Sequence, residues 1–346
     1  MTSQPAPVTR FLLPAAAFVI VVAGMRTAEA MLVPFLLSLF IAVICSPPLV
    51  WLKSRGVPGM LSLLIVLLGI IAAGVTVGAV VGASINDFRG DLPDYQARLL
   101  VLRDQLQIWL QQRGYSLPSS LMQDVLNPSV ILGFVGTTLS SLGNVMTNAF
   151  LILLTVIFIL AEEVRFGDKL ISNHPRGEQM VAALSRFTHS VNQYMAIKSL
   201  LSLLTGGLVY LWLLWLGVDY PVLWGMLAFL LNFVPNLGSI LAAIPAVLLA
   251  LIQLGVGDAV LTGVGYLLVN TLVGNVLEPR IMGRGLNLST LVVFLSLVFW
   301  GWVLGPVGML LSVPLTMTVK IALESSDGTR WLGQMLGSGV VTEKAG

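Results

Sequence analysis

The chain has 346 residues, 57% of them hydrophobic and only 10% charged, against about 25% charged in an ordinary soluble domain. That excludes a soluble globular domain and predicts an all-α polytopic membrane protein. A net charge of +2, with its basic residues scattered through loops, points to no nucleic-acid partner, and a lone cysteine, Cys45, excludes an internal disulfide.

A polar tail runs to Arg10, and the apolar stretch 11–25 is slightly short for a hydrocarbon core of about 30 Å. Ala28-Glu29-Ala30 resembles a signal-peptidase site. Arg26 and Glu29 crowd that site and a second span, 30–52, follows at once, so the first helix is read as retained. The third span, 60–85, carries Gly74, Gly78 and Gly82 on one face, a pattern that lets another helix approach closely. From 86 to 140 charges mix with apolar residues. Leu92, Tyr95, Leu99, Leu102, Leu106 and Trp109 form a heptad seam, which predicts a small extramembrane helical domain packing on its own chain or on a neighbouring subunit. Gly114 and Pro118 end that helix. A fourth span, 144–161, leads through a polar connector to a fifth, 197–216, at whose start Lys198 is read as a snorkelling anchor.

Two long apolar stretches are broken in their middles. The first, 224–246, is interrupted by Asn232, Pro235, Asn236 and Gly238; the second, 291–321, by Gly301, Gly305, Pro306, Gly308 and Pro314. Broken helices strand backbone amides and carbonyls that hydrocarbon cannot satisfy, so such breaks persist only where protein or a water-filled cavity meets them. Paired interrupted segments are the sequence mark of a secondary transporter's central site; two kinked packing helices are the plain alternative.

Arg10, Lys53 with Arg55, the connector, Arg280 with Arg284, and the tail residues Arg330 and Lys344 fall on one side if spans alternate, which the positive-inside rule makes cytoplasmic together with both termini. Asp219 is then outside, and an odd number of crossings must separate it from Arg280. The simplest solution has 222–254 dip in and return, 259–277 cross alone, and 291–321 enter from the inside and return there. The competing solution makes every arm a full span. The expected layout is N-terminal transmembrane helices (1–85), an extramembrane helical domain (86–140), transmembrane helices with a cytoplasmic connector (141–218), a transport core with two broken hairpins (219–322) and a cytoplasmic tail (323–346), about eight hydrophobic segments in all.

The chain has no P-loop, no H-E-x-x-H and no G-x-S-x-G, and its two histidines, His174 and His189, lie in the connector, so no enzyme, cofactor or metal site is expected. Polar residues in or beside the apolar spans remain: Asn232, Asn236, Ser239, Asn270, Asn275, Glu278, Arg280, Asn287 and Ser296. Asn and Ser both donate and accept, which suits a small hydroxyl-rich solute; each can equally satisfy a broken backbone. Glu278 stands out as an ionisable group at membrane depth, a proton or ion relay by default, with an interfacial pair to Arg280 or Arg284 as the structural alternative. Asp219 and Asp258 read as loop or cap residues.

The run from Asn275 through Glu278-Pro279-Arg280 and Gly283-Arg284 to Leu288, the Gly305-Pro306-Val-Gly308 turn and Val313-Pro314-Leu315 resemble the C-terminal signature of the AI-2E (autoinducer-2 exporter) transporters. Ser46-Pro47-Pro48, Gly56-Val57-Pro58, Gln193-Tyr194 before Lys198, Pro235-Asn-Leu-Gly238 and Ile244-Pro245-Ala246 match as well; Ser239 departs, where the family often has proline. The resemblance implies a bacterial inner-membrane permease, some relatives exporting autoinducer-2 and others exchanging sodium or lithium for protons. The expected function is export of a small polar metabolite or signal through a site built from Asn232, Pro235, Asn236, Gly238, Ser239, Asn270, Asn275, Glu278, Arg280, Gly305, Pro306 and Gly308. The alternatives are Na+(Li+)/H+ antiport, with Glu278 binding cation and proton in turn, and a non-transporting scaffold. The expected partners are the solute, Na+ or H+ as coupling ion, the lipid bilayer and further copies of the chain.

Overall fold

A computed structural model describes residues 7–114, 130, 132–138, 149–173, 177–235, 237–282, 288–324 and 328–337. Asn236, Gly283, Arg284, Asn287, His174, Lys344 and much of 115–148 lie outside the described residues, as do the side chains of the connector. The described residues are helical throughout: α1 (Pro7–Thr27), α2 (Glu29–Ser54), α3 (Gly59–Gln112), α4 (Ala149–Asn173), α5 (Gly177–Leu216), α6 (Pro221–Leu231), α7 (Gly238–Gln253), α8 (Val256–Asn270), a π-helix (Thr271–Leu277), α9 (Glu278–Met282), α10 (Thr290–Glu324) and α11 (Arg330–Met335). Five segments among them are long and apolar enough to cross a membrane: α2, α3, Val191–Leu216, Val256–Ile281 and α10. In hydrocarbon a helix satisfies its own backbone, which is why so apolar a chain takes this form. The chain divides into two compact units, one comprising Met1–Val43, Leu151–Val191 and Leu286–Gly346, the other Ile44–Phe150 and Asn192–Gly285.

In the second unit α3 continues unbroken for 54 residues, about 81 Å, so the span and the polar stretch after it form one rod. It ends at Gln112, before Gly114 turns with φ +80°. The heptad seam is half spent within the chain: Tyr95 and Leu99 are buried, whereas Leu106 and Trp109 are exposed. A Cβ at Gly74 or Gly82 would meet nothing within 4 Å among the described residues. Tyr95 and Leu99 join Phe88 in a core with Val209 and Leu213 of α5, Trp224 and Leu227 of α6, and the Ala242, Ala246 and Ala250 stripe of α7. Glycines let α5 and α6 cross backbone to backbone: a Cβ at Gly206 would stand 2.6 Å from the Gly225 carbonyl, and one at Gly225 would stand 2.8 Å from that of Gly206.

The first break follows the prediction that Asn, Pro and Gly would end the helix. α6 stops at Leu231 and α7 starts at Gly238, giving arms of about 16 and 24 Å, both short of a bilayer core. An added Cβ at Gly238 would overlap the Leu231 carbonyl, so the tip closes only on glycine. The far ends of the arms are stitched together. Gln253 at the end of α7 donates from Nε2 to the Gly217 carbonyl (3.0 Å) and accepts at Oε1 from the Asp219 amide (2.8 Å), while Arg98 of α3 donates to the Gln253 carbonyl at 2.7 Å. Asp219, beyond a loop role, accepts from the Tyr95 hydroxyl, and Tyr220 donates to Asp91, both at 2.6 Å. Burial and the Asp91 acceptor push the Tyr220 phenol well above its usual range, which holds it protonated as a donor.

In the first unit α10 bends sharply at Leu304 (φ −126°, ψ 15°) and Gly305 (φ 62°, ψ −152°), the latter a conformation glycine tolerates. The arms double back: the Trp300 indole donates to Thr316 at 3.0 Å, and a Cβ at Gly308 would overlap the Trp300 carbonyl. Pro314 lies within the second arm, and Gly301 faces Met309. The first arm climbs beside α1, with Phe18 stacked on Phe299, Val22 packed with Trp300, Val303 and Leu304, and the Arg26 guanidinium 4.5 Å from the Trp302 ring centre. A Cβ at Gly305 would stand 3.1 Å from Glu29 Oε1. The tip of this hairpin therefore lies at the α1–α2 turn.

Candidate functional site

The polar groups of the second unit gather on one face of α5, where Tyr194, Lys198 and Ser202 recur every four residues and all three are buried. That spacing stacks them along one face of a helix. From the first break, Asn232 caps the end of α6 and donates from Nδ2 to Ser202 Oγ at 2.9 Å. One helical turn away, Lys198 Nζ donates to both oxygens of Glu278, at 2.7 and 2.8 Å. Glu278 is 23% exposed and Lys198 4%. The lysine is thus no snorkelling anchor: its ammonium turns inward onto a carboxylate that low dielectric would otherwise leave unpaired. Glu278 likewise forms its ion pair with Lys198, and not with the exposed Arg280; Arg284 lies outside the described residues.

Glu278 is held by unusual backbone. The seven residues Thr271–Leu277 form a π-helix, and the Glu278 amide donates to the Val273 carbonyl, five residues back. Such turns are rare and recur at functional sites. The Asn270 side chain folds over Gly274, where a Cβ would come within 3.3 Å of its Oδ1. Further polar atoms are buried with no hydrogen-bond partner among the described residues: Asn192 Oδ1 and Ser199 Oγ on α5, Thr262 Oγ1 and Tyr266 OH on α8. Buried polar atoms ordinarily find a partner, and those left over call for water or a bound molecule.

Of the expected site residues, the structure joins Asn232 and Glu278 to one helix face through Ser202 and Lys198. Asn270 lies at the entry to the π-helix, and Pro235, Gly238 and Ser239 shape the first tip. Asn275 and Arg280 are exposed, and Asn236 lies outside the described residues. Gly305, Pro306 and Gly308 shape the tip of the other hairpin, in the first unit. Ser202 and the π-helix escaped the sequence reading, and Tyr194 entered it only within the Gln193-Tyr194 motif and not as a site residue; the four-residue spacing of Tyr194, Lys198 and Ser202 was the available signal. An open cleft of about 360 Å³ lined by Leu208, Leu211, Trp212, Trp215 and Val269 is apolar, suited to acyl chains and not to a polar solute. No group of three or more His, Cys, Asp or Glu side chains that could hold a metal ion occurs among the described residues.

The family model described as AI-2E family transporter matches residues 15–327. The AI-2 transport protein TqsA of Escherichia coli is 42% identical over 318 residues, 92% of each chain. A Haemophilus influenzae protein provisionally named as a transport protein is 42% identical over 336 residues, 95% of this chain and 96% of its own. YhhT of E. coli, with a similarly provisional name, is 38% identical over 330 residues, 95% and 94% of the two chains.

Proposed function

The chain belongs to the AI-2E transporter family, and from that premise we propose that it exports a small, hydroxyl-rich polar solute, binding it on the α5 face of the second unit. The observation that carries this reading is the Lys198–Glu278 pair one turn from the Asn232–Ser202 bond. These groups sit beside a helix break and a π-turn, where backbone partners are already in short supply. They offer ammonium, amide and hydroxyl donors with one carboxylate acceptor, a set that matches an oxygen-rich molecule. The unpartnered Ser199 and Asn192 atoms extend the same surface. Pro235, Gly238 and Ser239 shape the tip beside it, Asn270 and Asn275 belong to the π-turn and its entry, and Arg280 lies at the cytoplasmic end. The Gly305-Pro306 and Gly308 turn is assigned to the first unit's hairpin, which we read as entering from the cytoplasmic side with its tip at the α1–α2 turn, while the α6–α7 hairpin is read as re-entrant from outside. Both termini are cytoplasmic in this reading.

The solute to test first is AI-2, because a relative carries that name. In proteoliposomes loaded with AI-2, wild type should release it, and Lys198→Met and Glu278→Gln should each lower the initial rate at least tenfold. Equal rates in wild type and protein-free liposomes would remove AI-2 as the solute; unchanged rates in both variants would remove the site.

Cation antiport is the second reading, favoured by Glu278 as one of few acids near the apolar spans. In the conformation described, however, Lys198 Nζ occupies the coordination position a sodium ion would need on Glu278, so antiport requires the ammonium to leave. With an imposed proton gradient, a sodium- or lithium-triggered change of internal pH that vanishes in Glu278→Gln would establish it.

A further inference from the structure

We infer that the π-helix Thr271–Leu277 is a register switch: relaxing it to an α-helix swings Glu278 off Lys198 and leaves the ammonium free to take an oxygen of the solute. The inference rests on the transport reading above for its purpose, but not for its test.

The geometry is specific. A π-turn holds one residue more than an α-turn, and here the surplus falls immediately before Glu278, whose amide bonds the Val273 carbonyl. Passing that amide to the carbonyl of residue 274 closes an ordinary α-turn and removes the surplus. At 3.6 residues per turn, one residue of register turns everything after it by about 100°. A side chain at the rim of a helix about 10–12 Å across then moves on the order of 8 Å, far beyond the reach of an ion pair that is now 2.7 Å long. Pro279 has no amide hydrogen, so no hydrogen bond of its own fixes the register there, but in the relaxed α-turn its ring crowds the Asn275 carbonyl, a cost the freed ammonium's contact with solute must offset. Upstream, Gly274 offers no Cβ to obstruct rearrangement, and the Asn270 side chain already lies over it. An unfavourable backbone register is maintained only when something else stabilises it. The two charge-assisted hydrogen bonds from Lys198 are the interaction that gains from Glu278 being where the π-turn puts it. In this conformation the Glu278 carboxylate stands in for the solute's oxygens on the ammonium.

The test measures register directly. Full-length protein carrying Cys45→Ser, with spin labels on Leu203→Cys of α5 and Arg280→Cys of α9, both exposed positions, is reconstituted in lipid for pulsed dipolar distance measurement. The parent should give one dominant distance. Adding Glu278→Gln or Lys198→Met should move a substantial fraction to a second distance several ångströms away. Deleting Gly274 removes the surplus residue and leaves Glu278 on the face it now occupies, so it should give the parent distance alone and keep it when Glu278→Gln or Lys198→Met is added. Distributions unchanged in both charge variants would overturn the switch, as would a second distance in those variants that persists when Gly274 is deleted. If the deletion variant does not fold, the two charge variants decide. Because no solute is present, failure here leaves the transport assignment untouched, and failure of AI-2 efflux leaves this measurement interpretable.

Discussion

An ammonium and a carboxylate removed from water each lose hydration worth several kcal/mol, and their attraction restores it only while both are present. Lys198 is almost wholly buried and Glu278 largely so, and the lysine contacts both carboxylate oxygens. Substituting one partner leaves the other charged in a poor solvent for charge, so Lys198→Met and Glu278→Gln should each destabilise the protein by about 3 kcal/mol. The double variant should lose less than either single variant, because no charge is left behind. Thermal unfolding in detergent, followed by tryptophan fluorescence, checks this. Losses that simply add in the double variant would mean that the two groups are not coupled. Asn232 and Ser202 make a neutral bond in the same place, and Ser202→Ala should cost about 1–2 kcal/mol by stranding the Asn232 amide.

Each hairpin tip depends on a glycine pressed against a carbonyl of the opposite arm, Gly238 on Leu231 and Gly308 on Trp300. Gly238→Ala forces backbone against backbone, which no flexible side chain can absorb, and should cost at least about 2 kcal/mol with a marked loss of folded yield. Gly207, on α5 with open space around its would-be Cβ, should accept alanine with no loss; size-exclusion yield of the two variants in the same detergent is the comparison. Both breaks were legible in the sequence because Pro, Gly and Asn interrupt apolar runs for stated steric reasons. The π-helix was not, because Thr271–Leu277 is an ordinary apolar run and an extra residue per turn leaves no mark in composition. Lys198 was misread for a related reason: the end of a span is where lysines usually snorkel, and its partner lies 80 residues away in sequence. Glu278 stood out in the sequence because acids are rare beside the apolar spans; its partner could come only from the way α5 lies against the π-helix and α9.

The arms of α6 and α7 are too short to cross, and their outer ends are tied by Gln253 to Gly217 and Asp219 beneath Arg98 of α3. Ends that share one set of hydrogen bonds support the proposed reading, in which the hairpin leaves the membrane on the side where it entered. α8 and the π-helix then cover about 33 Å from Val256, enough to carry Glu278 through a core of about 30 Å. Lengths and three hydrogen bonds thus support the proposed order of dip, return and crossing, while the charge rule alone supplies which face is outside. The α10 hairpin differs: its tip meets Arg26, Glu29 and the end of α1, so its bend should share a face with the α1–α2 turn. Single cysteines in the Cys45→Ser background, labelled in intact cells with a membrane-impermeant maleimide, test both. Val222→Cys and Val256→Cys, both exposed at the hairpin's ends, should label from the outside, and Arg280→Cys only after permeabilisation. Thr27→Cys and Trp302→Cys should label together, from one side. Val222 and Val256 labelling from opposite faces would make one arm a full crossing and move Glu278 to the other membrane surface, which the lengths of α8 and the π-helix would then have to explain.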